Sequence, residues 1–387
     1  MKSRLASLEC ARCGNQHDAG KLQHRCECGG TLLCRYDLDP LDLDEVRQRP
    51  ADMWRFRELL PVEGEPVSLG EPRTPLLTVP KLSKRLGVET YLKDDGPLPG
   101  GTFKARGAGI GLSRAQELGV DRVVMPSAGN AGGAWSLYGA RAGMHITVTM
   151  AESAPAANQT EVEAAGGELV LIRGTIADAA VRAREIADET GAFLSATFSE
   201  PYRLEGKKTC WLEVFDALGD ENGMRLPRTI VLPVGGGVAA IAAAKAAEEV
   251  IALGWTSDPP PRLVGVQSNG CCPIVRAFDA GADEVEPWDG EAMTIAAGLR
   301  VPAPSEGDLV LKYIRESGGR MVAVNERAIV DAVWDLASTE GVFACPEGAA
   351  TVAGASILAE VGDLQGPVVL YNTGSGVKYV EALKAFG

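Results

Sequence analysis

The chain has 387 residues, with 38 Lys+Arg against 52 Asp+Glu and a formal net charge of −14. So acidic a balance argues against a general nucleic-acid binder, which needs a basic surface. No run of about 18 uncharged apolar residues points to a membrane span, and Met1 to Ala11 lacks the apolar centre of a secretory signal. With 45% hydrophobic residues there is material for two or three domains at roughly 150 residues each. The expectation is a cytoplasmic protein that binds neither nucleic acid nor membrane.

Five of the nine cysteines, Cys10, Cys13, Cys26, Cys28 and Cys34, lie in the first tenth of the chain. That asymmetry suits a local metal site in a reducing compartment better than a disulfide framework. Cys10-Ala-Arg-Cys13-Gly14 and Cys26-Glu-Cys28-Gly29-Gly30 form two pairs, as in a zinc ribbon. Thiolates suit tetrahedral Zn²⁺, and a following glycine lets the chain turn around sulfur. Residues 1–36 are therefore expected to form a zinc-ribbon-like segment with Cys10, Cys13, Cys26 and Cys28 as ligands. His17, His24 and Cys34 are spare ligands, and a cysteine-bearing loop without metal is the other reading. Asp37 to Leu60 is rich in both charges and reads as a connector with a short helix around Asp44 to Arg49.

From about Tyr91, short β-branched runs alternate with longer amphipathic ones. Val123–Met125, His145–Met150, Glu168–Arg173, Thr229–Val234, Leu263–Gln267, Met321–Val324 and Val368–Asn372 read as buried strands. Ala108–Leu118, Ala131–Arg141, Thr175–Thr190, Val238–Ala252, Glu326–Thr339 and Ala349–Glu360 read as helices. This alternation predicts an α/β fold of open, twisted, parallel sheets flanked by helices. Three strands run into Gly-, Ser- or Asn-rich junctions: Pro126-Ser-Ala-Gly-Asn130, Pro233-Val-Gly-Gly-Gly237 and Asn372-Thr-Gly-Ser-Gly376. Ligands of such sheets bind at the carboxyl ends of strands, where helix N-termini present N–H groups to anions.

Each junction has a functional and a plain reading. Gly235-Gly236-Gly237 opens an Ala-rich helix and leaves backbone amides open to a phosphate; many α/β turns carry glycine without binding one. In Pro99-Gly-Gly-Thr-Phe-Lys104-Ala-Arg-Gly107, a lysine beside an aromatic at a helix start sits where helix charge and burial lower its pKa. Such a lysine forms imines with carbonyls, or it is an ordinary solvated helix lysine. Asn130 either caps the following helix or aims an amide at a ligand. Thr373 offers a hydroxyl at a strand end, or only an ST-turn.

Taken in order, these motifs resemble a fold-type-II pyridoxal-phosphate enzyme of the tryptophan synthase β-like superfamily, and within it the threonine synthase family. The resemblance runs through Cys28-Gly-Gly-Thr-Leu-Leu-Cys-Arg-Tyr-Asp-Leu38, Glu71-Pro-Arg-Thr-Pro-Leu76, Thr102-Phe-Lys-Ala-Arg-Gly107 and Ser127-Ala-Gly-Asn130. It continues through Pro201-Tyr-Arg-Leu-Glu-Gly-Lys-Lys-Thr209, Pro233-Val-Gly-Gly-Gly237 and Asn372-Thr-Gly-Ser-Gly376.

The resemblance implies pyridoxal 5′-phosphate held by Lys104 as an internal aldimine, with Phe103 near its ring and Asn130 on its phenolic oxygen. Gly235, Gly236 and Gly237, with the amides of Val238 and Ala239, would hold its phosphate. Thr373, or failing it Ser375, would meet its ring nitrogen. Ser127, Ala128 and Gly129 would receive the substrate carboxylate. Thr74, Arg203 and Lys208 are further substrate-binding candidates, Arg203 for a phosphate; its plain reading is an ion pair with Glu200 or Glu205.

The implied reaction turns O-phospho-L-homoserine and water into L-threonine and phosphate, with Lys104 as both acid and base. The implied domains are 37–107 with 225–387, large and cofactor-binding, and 108–224, small and mobile; a homodimer is the family expectation.

The chain departs from the family at Ala105, Pro99-Gly100-Gly101, Ala131, Gly236 and Val238-Ala239, and at Lys207, where a Gln is frequent. The departures spare the cofactor set but thin out polar phosphate-recognising positions. The alternative reaction is therefore a β-elimination or β-replacement on serine, threonine or an O-activated analogue. A non-catalytic binding protein is a third reading, against which Lys104 stands.

Overall fold

The structure is a computed structural model that describes residues 2–127 and 129–386. Ala128, one of the expected carboxylate-binding residues, lies outside the described residues. The chain forms two compact units: Met1–Pro72 with Lys104–Thr209, and Arg73–Phe103 with Cys210–Gly387.

In the first unit, an antiparallel three-stranded sheet sets Leu5–Cys10 between Gln16–His17 and Leu32–Tyr36. A helix follows at Leu43–Arg47, capped by the Asp42 carboxylate, which accepts from the Asp44 N–H. A parallel four-stranded sheet has the order Glu168–Ile172, His145–Ala151, Arg122–Pro126, Phe193–Leu194.

The helices Lys104–Glu117 and Asn130–Ala142 approach closely because glycines replace side chains where they meet. A Cβ on Gly111 would fall under 3.0 Å from the Trp135 ring, and one on Gly109 would press on Tyr138. Thr175 and Asp178 make a reciprocal capping box at the start of Ile176–Thr190, and Gly191 ends that helix in a left-handed conformation. Both signals are ordinary helix punctuation.

In the second unit, six strands run in the order Arg320–Val324, Arg262–Ser268, Thr229–Pro233, Val368–Asn372, Thr90–Asp94, Leu76–Thr78. Pairing is parallel except at the Leu76–Thr78 edge, which runs antiparallel to Thr90–Asp94. One apolar core joins Val231, Val264, Val266, Val368 and Leu370 of the sheet to Ile329, Val333, Leu336, Val352 and Leu358 of the helices Glu326–Thr339 and Pro346–Glu360. These central strands are buried along their length, so the sequence shows unbroken apolar runs rather than alternation.

The expected strands and helices are present, with ends shifted by a few residues. The α/β expectation holds, and the N-terminal segment is the small sheet just described. The sequence reading did not include the helix Tyr202–Leu218, the helix Ala156–Ala164 or the edge strand Leu76–Thr78. The edge strand has three residues, too few for periodicity to register. Tyr202–Leu218 is buried through most of its length, so it lacks the one-sided stripe that marks a helix.

Candidate active site and cysteine cluster

Of the expected cofactor residues, Gly235–Ala239 and Thr373 follow the carboxyl ends of two central strands of the second unit's sheet. Thr229–Pro233 and Val368–Asn372 are paired parallel strands, with Thr229 opposite Val368 and Val231 opposite Leu370. Their carboxyl ends therefore emerge side by side, and the chain continues into Gly235–Gly237 on one and Thr373 on the other. Gly237 is the N-cap of the helix Val238–Ala252, with φ +85, a left-handed conformation that favours glycine. A Cβ there would meet Val310, and a Cβ on Gly235 would stand under 3.0 Å from the Gly298 carbonyl oxygen. The first turn of any helix leaves its leading N–H groups without intrahelical acceptors, so a close-lying, side-chain-free backbone here suits a phosphate.

On the neighbouring strand end, Phe103 N–H donates to the Thr373 carbonyl at 2.8 Å. The Phe103 ring meets Tyr371 edge-on, at 5.8 Å between centroids. Tyr371 is held in turn: its hydroxyl donates to Asp95 Oδ2 at 2.7 Å, and Trp211 packs on its ring at 5.0 Å.

Thr373 is buried, and its hydroxyl lies 3.4 Å from the Cys345 thiol. Ser375 is otherwise engaged, since its hydroxyl caps the short turn Gly376–Tyr379 by accepting from the Val377 N–H at 3.3 Å. Of the two hydroxyls, Thr373 is the one not committed to a cap.

Thr74 belongs to a buried polar network. Its hydroxyl donates to Asp95 Oδ1 at 2.7 Å, its N–H donates to Glu213, and its carbonyl accepts from Lys93 Nζ. Lys93 and Glu213 form an ion pair at 2.6 Å with each side chain only 1% exposed.

In the first unit, Lys104 is the first residue of the helix Lys104–Glu117 and is half-buried. Gly107, one turn further along, has no side chain. A Cβ there would fall under 3.0 Å from Lys207 Nζ and lie 3.3 Å from the Arg203 Cβ. Lys207 thus reaches the Lys104 face of this helix. Burial, then the charges of Lys104 and Arg203, push its pKa well below the ordinary lysine value, against a smaller opposing pull from Glu200. The sequence reading noted Lys207 only as a substitution. The signal available was its spacing of four from Arg203 on one helix face.

Arg203 is buried. Its Nε donates to Glu200, its Nη2 donates to Ser195 Oγ, and its guanidinium lies 4.7 Å from the Trp135 ring centroid. No acceptor for its Nη1 occurs among the described residues. Lys208, the neighbouring residue, turns elsewhere. It donates to Glu205 at 2.6 Å and to the Leu59 carbonyl at 2.7 Å, under the Tyr36 ring.

At the other junction, Gly129 rather than Asn130 is the N-cap, and Asn130 begins the helix Asn130–Ala142. The Ser127 hydroxyl accepts from the N–H groups of Gly129 and Gly132 at 3.2 and 2.9 Å and donates to the Gly129 carbonyl. That hydroxyl shapes the turn, and the ligand-binding capacity of the junction lies in its backbone and in the Asn130 amide.

The four cysteines Cys10, Cys13, Cys26 and Cys28 come together, with their sulfurs all within 4.8 Å of one another. Gly14 N–H donates to the Cys10 carbonyl and Gly29 N–H to that of Cys26, at 2.9 and 2.8 Å. Both glycines have positive φ, +74 and +80. Each cysteine pair therefore sits on a tight turn that a glycine permits, including the pair with one intervening residue. A Cβ on Gly30 would collide with the Cys10 sulfur. Four sulfurs in this compact set fit one tetrahedral metal ion with Zn–S bonds of about 2.3 Å. His17, His24 and Cys34 lie outside the group, and no cysteine is in a disulfide. Among the described residues no helix is long and apolar enough to cross a membrane.

Residues 67–374 match the family model described as pyridoxal-phosphate dependent enzyme. The threonine synthase of Methanosarcina acetivorans is 35% identical over 92% of this chain and 87% of its own length. That of Methanocaldococcus jannaschii is 34% identical over 96% and 93%. Among solved structures, maize serine racemase shares the fold, with a TM-score of 0.68 and 23% identity over 90% of this chain and 98% of its own. The chain belongs to the threonine synthase-like, fold-type-II family of pyridoxal-phosphate-dependent enzymes.

Proposed function

We propose that this protein converts O-phospho-L-homoserine and water to L-threonine and phosphate, as a pyridoxal-phosphate-dependent carbon–oxygen lyase. The observation that carries the reading is the likeness to two threonine synthases across nearly the full length of both partners. Lys104 at a helix start and the glycine cradle supply the chemistry that likeness requires.

When bound, pyridoxal phosphate supplies an electron sink for negative charge at the substrate α carbon. The amides around Gly235, Gly236, Gly237, Val238 and Ala239 hold its phosphate, Asn130 its phenolic oxygen, and Thr373 its ring nitrogen, with Phe103 beside the ring. Lys104 anchors it, then removes the α proton and carries a proton at the β carbon. Ser127 and Gly129 receive the substrate carboxylate. Arg203 offers its remaining guanidinium N–H groups to the leaving phosphate.

A second reading, β-elimination or β-replacement on serine, threonine or an O-activated analogue, draws on one observation. Most of Arg203 is already engaged by Glu200 and Ser195, and Val238 and Ala239 bring no side-chain donors. A substrate panel followed by product analysis separates the two. Phosphate release with threonine formation from O-phospho-L-homoserine supports the first. Ammonia and a keto acid from serine or threonine, without turnover of O-phospho-L-homoserine, refute it. Loss of the bound cofactor's visible absorbance in Lys104→Ala tests the anchoring role.

Cys10, Cys13, Cys26 and Cys28 are proposed to hold a structural Zn²⁺ that folds residues 1–36. A cytoplasmic homodimer is the proposed state of the protein.

A further inference from the structure

The Thr373 hydroxyl has one protein partner among the described residues, the Cys345 sulfur at 3.4 Å. Cys345 precedes the helix Pro346–Glu360, whose Gly348 N–H donates to the same sulfur at 3.3 Å. The thiol hydrogen has two further acceptors, Asn372 Oδ1 at 3.4 Å and the carboxylate of Glu347.

The orientation of Asn372 is fixed from both ends. Its Nδ2 donates to Asp94 Oδ1 at 2.7 Å, and its Oδ1 accepts the Cys345 backbone N–H at 3.3 Å. The amide oxygen and the Glu347 carboxylate only accept, so the thiol hydrogen goes to one of these two. Burial pushes the Cys345 thiol pKa upward, and the group keeps that hydrogen at neutral pH.

We propose that Cys345 is a positioning residue for Thr373: its hydrogen is committed to Asn372 or Glu347, so its sulfur meets the Thr373 hydroxyl only as a weak acceptor and leaves that hydroxyl's hydrogen to the cofactor ring nitrogen. This rests on the reading that Thr373 faces the ring nitrogen. An oxygen in place of sulfur would be a strong acceptor and would draw the Thr373 hydrogen away from the ring. The ring nitrogen would then lose its donor, which alters how far the ring accepts charge from the substrate.

The test is the ¹⁵N resonance of ring-labelled pyridoxal phosphate in the holoenzyme of the wild type and of Thr373→Val, Cys345→Ser and Cys345→Ala. Thr373→Val moves the resonance toward that of a nitrogen without a donor. Cys345→Ser moves it part of the way in the same direction and weakens cofactor binding by about 2- to 10-fold, the loss of one neutral hydrogen bond. Cys345→Ala, which brings no competing acceptor, stays near the wild-type resonance.

An unmoved resonance in cofactor-loaded Cys345→Ser, with Thr373→Val moved, overturns the role of Cys345 and leaves the placement of Thr373 intact. Equal shifts in Cys345→Ser and Cys345→Ala also overturn it, because they report a packing change. An unmoved resonance in Thr373→Val takes down the placement and the proposal together.

Discussion

Gly235→Ala tests whether the glycine cradle holds an anion through its backbone position. The added methyl would stand under 3.0 Å from the Gly298 carbonyl oxygen and 3.0 Å from Val301 Cγ2. Non-bonded carbon contacts sit near about 3.5–4.0 Å, so one backbone segment must shift by about 1 Å. The Gly298 segment is pinned: Glu347 Oε1 accepts the Gly298 N–H at 2.7 Å and the Tyr379 hydroxyl at 2.9 Å, and Leu299 N–H donates to the Ala296 carbonyl at 2.8 Å. The strain therefore falls largely on the cradle.

Overpacking of this kind costs about 1–3 kcal/mol of stability. A displaced amide at about 3.9 Å from a phosphate oxygen no longer makes a hydrogen bond, and each charge-assisted bond lost is worth about 1.5–3 kcal/mol. One lost bond lowers cofactor affinity about 10- to 150-fold. Cofactor titration followed by absorbance measures this, and thermal unfolding measures the stability cost.

Gly139→Ala is the control. Within the first unit, away from the cradle, its added methyl would collide with Ile146, and it is expected to lower stability similarly while leaving affinity unchanged. Wild-type affinity in Gly235→Ala, or equal losses in both variants, would refute the cradle argument.

Other perturbations probe the rest of the molecule. Lys93→Ala leaves Glu213 as an uncompensated buried charge and is expected to cost about 3–5 kcal/mol by denaturant unfolding, whereas Lys93→Met with Glu213→Leu costs much less; equal costs would show that packing, not charge, governs the site. Lys207 binds fewer protons folded than unfolded, because its folded pKa is lowered. Its contribution to stability therefore rises with pH from the folded value up to the unfolded value near about 10.4. Lys207→Met should be more stable than the wild type at neutral pH, by a margin that shrinks toward pH ~10, and a constant margin would contradict the lowered value. Metal analysis of the Cys10→Ala/Cys13→Ala double variant should show zinc lost relative to the wild type, and unchanged zinc content would remove the site.

The sequence read well where chemistry is local. The strands Thr229–Pro233 and Val368–Asn372 announced themselves as apolar runs, and the glycine and hydroxyl junctions followed them directly. The cysteine pairs, with a glycine soon after each, marked the four-cysteine cluster. What could not be read was the competition of protein groups for candidate side chains. Ser127 looked like a ligand residue, yet its hydroxyl serves two amides of its own turn. Thr74 bonds to Asp95 and Glu213, the latter 139 residues away in the chain. Lys207 and Lys208 are adjacent and chemically alike. About 100° of helical turn separates them, which sends one to the Lys104 face and the other to Glu205. On a helix buried nearly all round, periodicity gives no rule for choosing between them. The link between Cys345 and Thr373 depends on where a helix start meets a strand end, and no local pattern marks it.

The net charge of −14 makes anion binding a question of local supply. The cations near the expected substrate region are not simply available: Arg203 is paired with Glu200, Lys208 with Glu205, and Lys93 with Glu213. Each pair is nearly or fully buried, and an incoming anion would have to compete with a carboxylate already in place. A backbone cradle avoids that competition, because amide dipoles at a helix start attract an anion without bringing a net charge that would need a buried carboxylate partner. The glycine junction is thus suited to keep a phosphate bound permanently. A substrate anion must instead work with the remaining donors of Arg203 and with Lys207, whose proton affinity rises when a negative charge arrives beside it. Permanent and transient anions are accordingly expected to differ in their pH dependence: in Lys104→Ala, where no imine forms, cofactor affinity should vary little with the protonation of the remaining lysines, while affinity for an anionic substrate should fall as Lys207 deprotonates.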